Sequence, residues 1–167
     1  MKSYITLLAL ASIAVAQSAQ IGTPQQGTSV VAGSNVTVMI EKPNSLTSTQ
    51  EVVIVIGLAS CGNAPCPNTT SKLGEILYQG SFNPQYSSPP GALPPHQNYS
   101  LQVPASFAAG QAILGVAHLS LVGAAMSPTL ETFNTTLMIT NVESSTDSTA
   151  ARRSMRILGY RALRNLE

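Results

Sequence analysis

Apolar and polar positions alternate with a period of two along several parts of the chain. In residues 35–41 every second side chain is a valine or an isoleucine, and most of the positions between them are polar. The same alternation recurs in residues 98–103 and 133–139. Because successive side chains of a β-strand point to opposite faces, this pattern predicts strands with one buried face and one wet face.

Three further segments predict strands with a less regular pattern. Residues 51–58 are almost continuously apolar and β-branched, which is typical of a central strand covered on both sides. Residues 73–82 form a second candidate, with Gly74 and Gly80 marking bends or a bulge. Residues 112–122 give the longest candidate strand.

The order of these segments predicts the fold class. Residues 84–97 are rich in proline and serine and predict a loop, and no convincing helix precedes residue 150. Short strands separated by turn signals predict an all-β protein, an antiparallel immunoglobulin-like β-sandwich that spans residues 28–141. A small barrel is the alternative.

The amino-terminal segment has the layout of a secretory leader. Lys2 precedes a run of thirteen apolar or small residues from Tyr4 to Ala16, and small residues suit a cleavage site after Ala16. We therefore expect a signal peptide at 1–16, an N-terminal extension at 17–27 and a secreted, extracellular product. A membrane anchor is the alternative, but the run is short for a span.

The carboxyl-terminal segment differs from the rest of the chain. Residues 142–151 are polar and aperiodic and predict a linker. Residues 152–167 form a basic tail that is either an amphipathic helix, able to make weak contact with a membrane surface through Arg152–Glu167, or disordered. Removal at the pair Arg152-Arg153 is a further alternative.

The charge of the chain is low and segregated. Only 9% of the residues are charged; between residues 17 and 149 two lysines stand against six acidic residues, a formal charge of −4. Five arginines and one glutamate give the tail +4. The body of the chain therefore lacks the basic footprint of a nucleic-acid-binding protein, and we expect no nucleic-acid partner.

The two cysteines, Cys61 and Cys66, lie in the turn-forming sequence ASCGNAPCPN. In an exported protein a disulfide is the expected state, and the small ring would pin one loop at a gain of about 2 kcal/mol. A metal site is the alternative, but two thiols without a nearby histidine fall short of four ligands.

Four Asn-x-Ser/Thr sequences predict N-glycosylation at Asn35, Asn68, Asn98 and Asn134. Asn35, Asn98 and Asn134 fall on the polar parity of a predicted strand, so a glycan there would project into solvent. Asn68 follows Cys66 in a turn. The alternative is that these are ordinary polar residues.

No catalytic centre emerges from the sequence, so we expect no enzyme, no cofactor and no metal. His118 shares the parity of Leu114 and Val116, which favours a packed histidine, and His96 falls in the predicted loop. The four glutamates of the body that could pair for glycoside cleavage sit beside polar neighbours or strand ends and are expected to be surface charges: Glu41, Glu51, Glu75 and Glu131.

Several motifs together resemble a known family. They are LGEILYQGSF (73–82), YSLQVPASFAAGQA (99–112), LSLVGAAMSPTLETFN (119–134) and the final strand TTLMI. In order and spacing these segments resemble the fungal necrosis-inducing secreted protein family. The cysteine loop and the basic tail lie outside that pattern.

The resemblance implies a non-catalytic effector that binds a host protein, such as a plant receptor-associated kinase, to suppress immunity or to induce cell death. A structural or cell-wall-associated glycoprotein of the fungus itself is the alternative. The sequence assigns neither the contact residues nor the oligomeric state.

Overall fold

The computed structural model describes residues 18–89 and 91–141, and within these ranges the regular structure consists of strands alone. The strands are β1 Gln20–Thr23, β2 Thr28–Val31, β3 Asn35–Glu41, β4 Thr49–Ser60, β5 Glu75–Gly80, β6 His96–Gln102, β7 Gly110–Val122 and β8 Ser127–Thr140. The predicted leader, linker and basic tail lie outside the described residues.

The strands form two sheets that pack face to face as a β-sandwich, which confirms the predicted fold class. The smaller sheet has the order β1-β3-β6, and the larger has the order β2-β8-β7-β4-β5. All pairs but one are antiparallel; β2 runs parallel to β8. The parallel pair arises because the chain leaves the smaller sheet after β1 and enters the larger one as β2.

The segment expected to be an N-terminal extension contributes to the fold. Strand β1 pairs with β3, and Ala19 just before it is completely buried. Four residues with little apolar alternation do not predict a strand by themselves. Here the exposed edge of β3 provides the backbone partner.

The core lies between the two sheets and follows the parity that the sequence indicates. On β3 and β6 the alternating apolar residues point inward, including Val38 and Tyr99. On β7 the inward parity is that of Leu114, Val116 and His118. The core between the sheets also contains these large, fully buried apolar side chains: Ile40, Ile54, Ile56, Leu58, Val103, Leu137 and Ile139.

The outer face of the larger sheet is covered over only part of its length, so the prediction that β4 is covered on both sides holds for half of the strand. The disulfide-bearing loop 61–74 crosses the sheet at two glycines: a Cβ on Gly57 would lie 2.5 Å from the Leu73 carbonyl oxygen, and one on Gly115 would lie 2.8 Å from Thr69 Cγ2. Only glycine allows this close approach. Loop 61–74 therefore replaces a missing layer at one end of the sheet.

The predicted disulfide is confirmed. Cys61 and Cys66 are joined within loop 61–74, with Cα atoms 4.3 Å apart. Asn68 and the buried Thr69 follow directly, so the bridge shapes the part of the loop that reaches Gly115.

Candidate binding surface and the ionic cluster beneath it

Three connections meet at the end of the sandwich opposite to loop 61–74, and we call this surface the loop end. It comprises residues 43–48, 81–95 and 123–126, which follow β3, β5 and β7 respectively. Gly123 N donates to the Ser48 carbonyl oxygen at 2.9 Å, and Tyr86 Oη donates to Asn44 Oδ1 at 2.9 Å. The segment 43–48 therefore lies between the other two and contacts both.

The proline-rich loop 81–95 is held at both of its ends. Tyr78 Oη donates to the Ser81 carbonyl oxygen at 3.1 Å, and Tyr99 Oη approaches the same oxygen at 3.4 Å. Burial, together with the neighbouring Tyr78, raises the pKa of Tyr99, so its hydroxyl keeps its proton. At the other end Lys42 N donates to the Pro95 carbonyl oxygen at 2.7 Å. These bonds fix the two ends of the loop, so less conformational entropy remains to be lost when a partner binds.

The loop end exposes apolar side chains and carries no formal charge. Leu46 is fully exposed, and Tyr86, Leu93 and Met126 are each close to half exposed or more. Residues 43–48, 81–95 and 123–126 contain no Asp, Glu, Lys, Arg or His. An apolar, uncharged surface of this kind is unusual on a protein surface and is typical of a site that a partner covers.

The apolar surface continues from the loop end onto the uncovered half of the larger sheet. Register pairs Val53 with Leu119 and Leu119 with Leu130 on the outward face. Leu130 is 68% exposed, and Val53 and Leu119 are partly exposed. The apolar residues on both parities of 51–58 are a sequence signal for this surface, but they do not show which half of the strand the loop covers.

A cluster of ionisable side chains is buried directly beneath the loop end. Glu51 on β4 faces His118 on β7, with Oε2 against Nε2, and its other oxygen lies 3.1 Å from Lys42 Nζ. His118 is fully buried, and Glu131 Oε2 on β8 lies 3.6 Å from its Nδ1. Carboxylates from two neighbouring strands thus flank one imidazole, and the Phe82 ring packs against it in a T-shaped arrangement.

The protonation of Glu51 follows from these partners. Burial alone would raise its pKa, but the hydrogen bond with His118 and the ion pair with Lys42 outweigh this and lower the pKa to about 2. An ionised carboxylate only accepts hydrogen bonds, so His118 Nε2 is the donor in the hydrogen bond with Glu51. The cluster therefore contains an ion pair between Lys42 and Glu51, whose side chains are 10% and 12% exposed.

The cluster overturns one expectation from the sequence. Glu41, Glu51 and Glu131 were expected to be surface charges, but none of them is exposed. The side chains of Glu51 and Glu131, only 12% and 14% exposed, turn inward towards His118. Glu41 lies on the outward parity of β3 and is buried there by β1. The register places Glu51 and Glu131 beside the inward-facing Ser120 and His118. The prediction of a packed His118 is correct, and the polar partners it needs are these glutamates. Glu75 is exposed, as expected.

The start of the described chain is joined to the same cluster. Ser18 donates to the Glu131 carboxylate through both its backbone N, at 2.9 Å, and its Oγ, at 2.7 Å. Two residues later Gln20 Nε2 donates to Glu41 Oε2 at 2.8 Å. Residues 18–20 therefore donate hydrogen bonds to two carboxylates that have little solvent contact, Glu131 on the larger sheet and Glu41 on the smaller one.

The loop 43–48 is anchored by this cluster. Lys42 immediately precedes the loop and Glu51 follows it, so the ion pair between them closes its base. Thr49 Oγ1 adds a hydrogen bond to Glu51 Oε1 at 3.0 Å. Leu46 is therefore presented on a short segment whose two ends are fixed.

The remaining candidates for chemistry do not assemble into a site. His96 begins β6 and lies opposite Gln85 and Glu41, rather than in the loop where it was expected. Its Nδ1 lies 2.9 Å from the Pro94 carbonyl oxygen. Within residues 18–89 and 91–141, no three His, Cys, Asp or Glu side chains are arranged to hold a metal ion. The same residues include no helix that could span a lipid bilayer.

All four predicted glycan acceptors are exposed. Asn35, Asn98 and Asn134 lie on the outward parity of their strands, and Asn68 is exposed in loop 61–74. Asn68 Oδ1 accepts from Thr70 N at 3.0 Å, so this acceptor is already in a turn. None of the four acceptors belongs to the loop end.

The two packed sheets define the class of protein, a small all-β sandwich. The model of the Nis1 family matches residues 14–138, and the chain belongs to this family. Family membership confirms the resemblance that the motifs indicated.

Two relatives are both named Necrosis-inducing secreted protein 1. One, from Colletotrichum orbiculare, is 29% identical over 137 residues, which cover 82% of this chain and 78% of the relative. The other, from Colletotrichum higginsianum, is 32% identical over 117 residues, which cover 70% and 76%. The chain is thus a secreted protein of a fungal effector family, and that family is named for necrosis rather than for an enzymatic reaction.

Solved structures show more distant likenesses. A superoxide reductase (neelaredoxin) from Ignicoccus hospitalis is 14% identical with a TM-score of 0.43, over 74% of this chain and 80% of that one. A fibronectin(III)-like module of Clostridium thermocellum CbhA is 6% identical with a TM-score of 0.37, over 74% and 97%. At these scores neither likeness bears on function.

Proposed function

We propose that the protein acts outside the fungal cell as a non-catalytic effector that docks on a host plant protein through the loop end. The observation that carries this proposal is the exposed group of Leu46, Tyr86, Leu93 and Met126 on loops that are held in place from below. Apolar anchors on a preorganised surface are what a stable protein complex needs, because little conformational entropy is then lost on binding.

The distribution of the predicted glycans supports the same surface. Asn35 and Asn68 lie at the opposite end of the sandwich, and Asn98 and Asn134 lie on the outer sheet faces. Sugars at these positions would leave the loop end accessible. We infer a partner at the plant cell, as the resemblance of the sequence implies, and a receptor-associated kinase is one candidate.

A non-catalytic action fits the cluster of His118, Glu51 and Glu131. These are the groups best suited to acid-base chemistry, yet the imidazole is completely buried and is sandwiched between carboxylates. A general base must reach the proton of a bound substrate. In this arrangement the cluster instead stabilises the loops above it.

Leaf infiltration tests the proposal. The double variant Leu46→Ser and Leu93→Ser removes two exposed anchors, so we expect unchanged unfolding midpoints but necrotic activity reduced by about tenfold or more in a dilution series. Met138→Ser is the matched control, since Met138 is similarly exposed but lies near the other end of β8. Full activity of the double variant would contradict the proposal.

A retention experiment separates the host-binding function from a role in the fungal wall. Purified protein is incubated in parallel with plant membrane extract and with fungal wall polysaccharide. We expect a plant protein to be retained by the wild type and lost with the double variant. Retention on wall polymer without recovery of any plant protein would instead favour the wall-associated glycoprotein.

A further inference from the structure

A second surface feature lies far from the loop end. It is an open groove of about 550 Å³ between β2 and the first half of β3, with the turn after β1 closing one side. Its lining contains Pro24, Val31 and several hydroxyl side chains, and none of the lining residues is charged. Asn35 and Thr37, the acceptor and the hydroxyl residue of one predicted glycosylation sequence, both belong to this lining.

The walls of the groove are strand edges. Strand β1 pairs with β3 only at Met39, Ile40 and Glu41, so among the described strands nothing pairs with residues 35–38 on that side. Strand β2 is the edge of the larger sheet. Both walls therefore present backbone N–H and C=O groups, which favour a ligand that carries amides and hydroxyls of its own.

The apolar part of the lining narrows the class of ligand. Val31 is 38% exposed and provides accessible apolar surface, while Pro24 in the same lining is buried. A pyranose ring with an acetamide group matches this combination, since it has an apolar ring face, hydroxyl groups and an amide. An anionic or cationic ligand would find no partner of opposite charge.

We propose that the groove holds the proximal N-acetylglucosamine residues of a glycan attached to Asn35. The proposal rests on the predicted glycosylation of Asn35 and is independent of the docking surface. Attachment at the edge of the groove makes the sugar's effective concentration high, so even weak contacts suffice to seat it. The sugar would occupy the exposed edges of β2 and β3, which would otherwise be open to pairing with another chain.

Hydrogen exchange on the protein secreted from a glycosylating host tests this site. We expect amides of β2 in the wild type to exchange about tenfold more slowly than in Asn35→Gln. Asn98→Gln is the matched control, because Asn98 lies on the outer face of the smaller sheet and outside the groove lining; it should leave β2 unchanged.

A second variant separates the groove from the mere presence of the sugar. Val31→Ser keeps the acceptor sequence but removes an apolar wall, so the glycan should remain attached, as seen by mass, while the slow exchange of β2 is lost. Unmodified Asn35 in the secreted protein, or equal exchange of β2 in all four proteins, would overturn the proposal. Necrotic activity should be unaffected by Asn35→Gln, so failure of this inference would leave the docking function standing.

Discussion

The most distinctive residues of the molecule are the ionisable side chains that it buries. Lys42, Glu51 and His118 lie inside a sandwich whose other inward residues are almost all apolar. A buried charge costs several kcal/mol unless a partner is present, so each member of the cluster is stable only with the others. The cluster is therefore a sensitive point of the fold, placed directly below the surface proposed to bind a partner.

Acid should destabilise the protein through Glu51. The folded-state pKa of about 2 lies below the ordinary value of 4.5, so the contribution of this group is complete above pH 4.5 and is lost as the pH falls towards 2. The difference corresponds to about 3 kcal/mol. Urea unfolding measured at several pH values between 6 and 2 checks this prediction, because that range spans the window in which the contribution is lost.

Two variants distinguish Glu51 from the other acids. Glu51→Gln should be less stable than the wild type at neutral pH by about 3 kcal/mol and should lose its share of the acid dependence, because it removes one partner of a buried pair. Glu75→Gln changes an exposed glutamate and should retain the wild-type profile. An unchanged acid profile in Glu51→Gln would show that the pairing with His118 and Lys42 does not govern stability.

At the scale of elements, the contact between loop 61–74 and the larger sheet depends on two glycines, which have no side chain. Gly57 and Gly115 leave the space in which Leu73 and Thr69 pack. Strand β4, which the sequence predicts to be covered on both sides, is therefore covered by this loop at one end and open at the other. This division gives the sheet one shielded half and one apolar half continuous with the loop end.

Gly57→Ala should separate the loop from the sheet. The added Cβ would meet the Leu73 carbonyl oxygen at 2.5 Å, and backbone cannot move aside as a flexible side chain can. We expect a loss of about 1–3 kcal/mol in the free energy of unfolding. Proteolysis within loop 61–74 should also become faster, because the loop loses its packing.

Gly91→Ala is the matched control for this change. A Cβ at Gly91 meets nothing within 4 Å, and its backbone is not in the left-handed region. Its stability should equal that of the wild type within about 0.5 kcal/mol. Equal stability of Gly57→Ala and Gly91→Ala would contradict the close packing of the loop.

At the scale of the whole molecule, charge and apolar surface are separated. The acidic residues at one end are buried and paired, while the loops above them are uncharged. The predicted glycan acceptors are distributed over the remaining surface. A partner bound at the loop end would accordingly be held by apolar contact and hydrogen bonds rather than by ion pairs.

This separation predicts that partner binding is insensitive to salt. Screening weakens interactions between exposed charges, and the loop end has none, so the affinity for the retained plant protein should change by less than about twofold between low and high salt. Titration of the isolated partner at several ionic strengths measures this. A steep loss of affinity with salt would place the contact elsewhere, for instance on the arginine-rich tail.

The sequence by itself determined the strands and the class of fold. Period-two alternation in residues 35–41, 98–103 and 133–139 is a local consequence of burying one face, so it can be read without the rest of the molecule. The exposed position of Asn35, Asn98 and Asn134 follows from the same parity. The cysteine spacing and the export signal likewise indicated the disulfide.

Only the tertiary structure decided where polar residues meet. Glu51, His118 and Glu131 are separated by up to 80 positions, and strand register alone brings them together. A glutamate next to polar neighbours looks exposed in the sequence because the imidazole and the ammonium that satisfy it are distant along the chain. The loop end, the half-covered sheet and the groove beside Asn35 depend in the same way on how the two sheets and their connections pack, which no local pattern encodes.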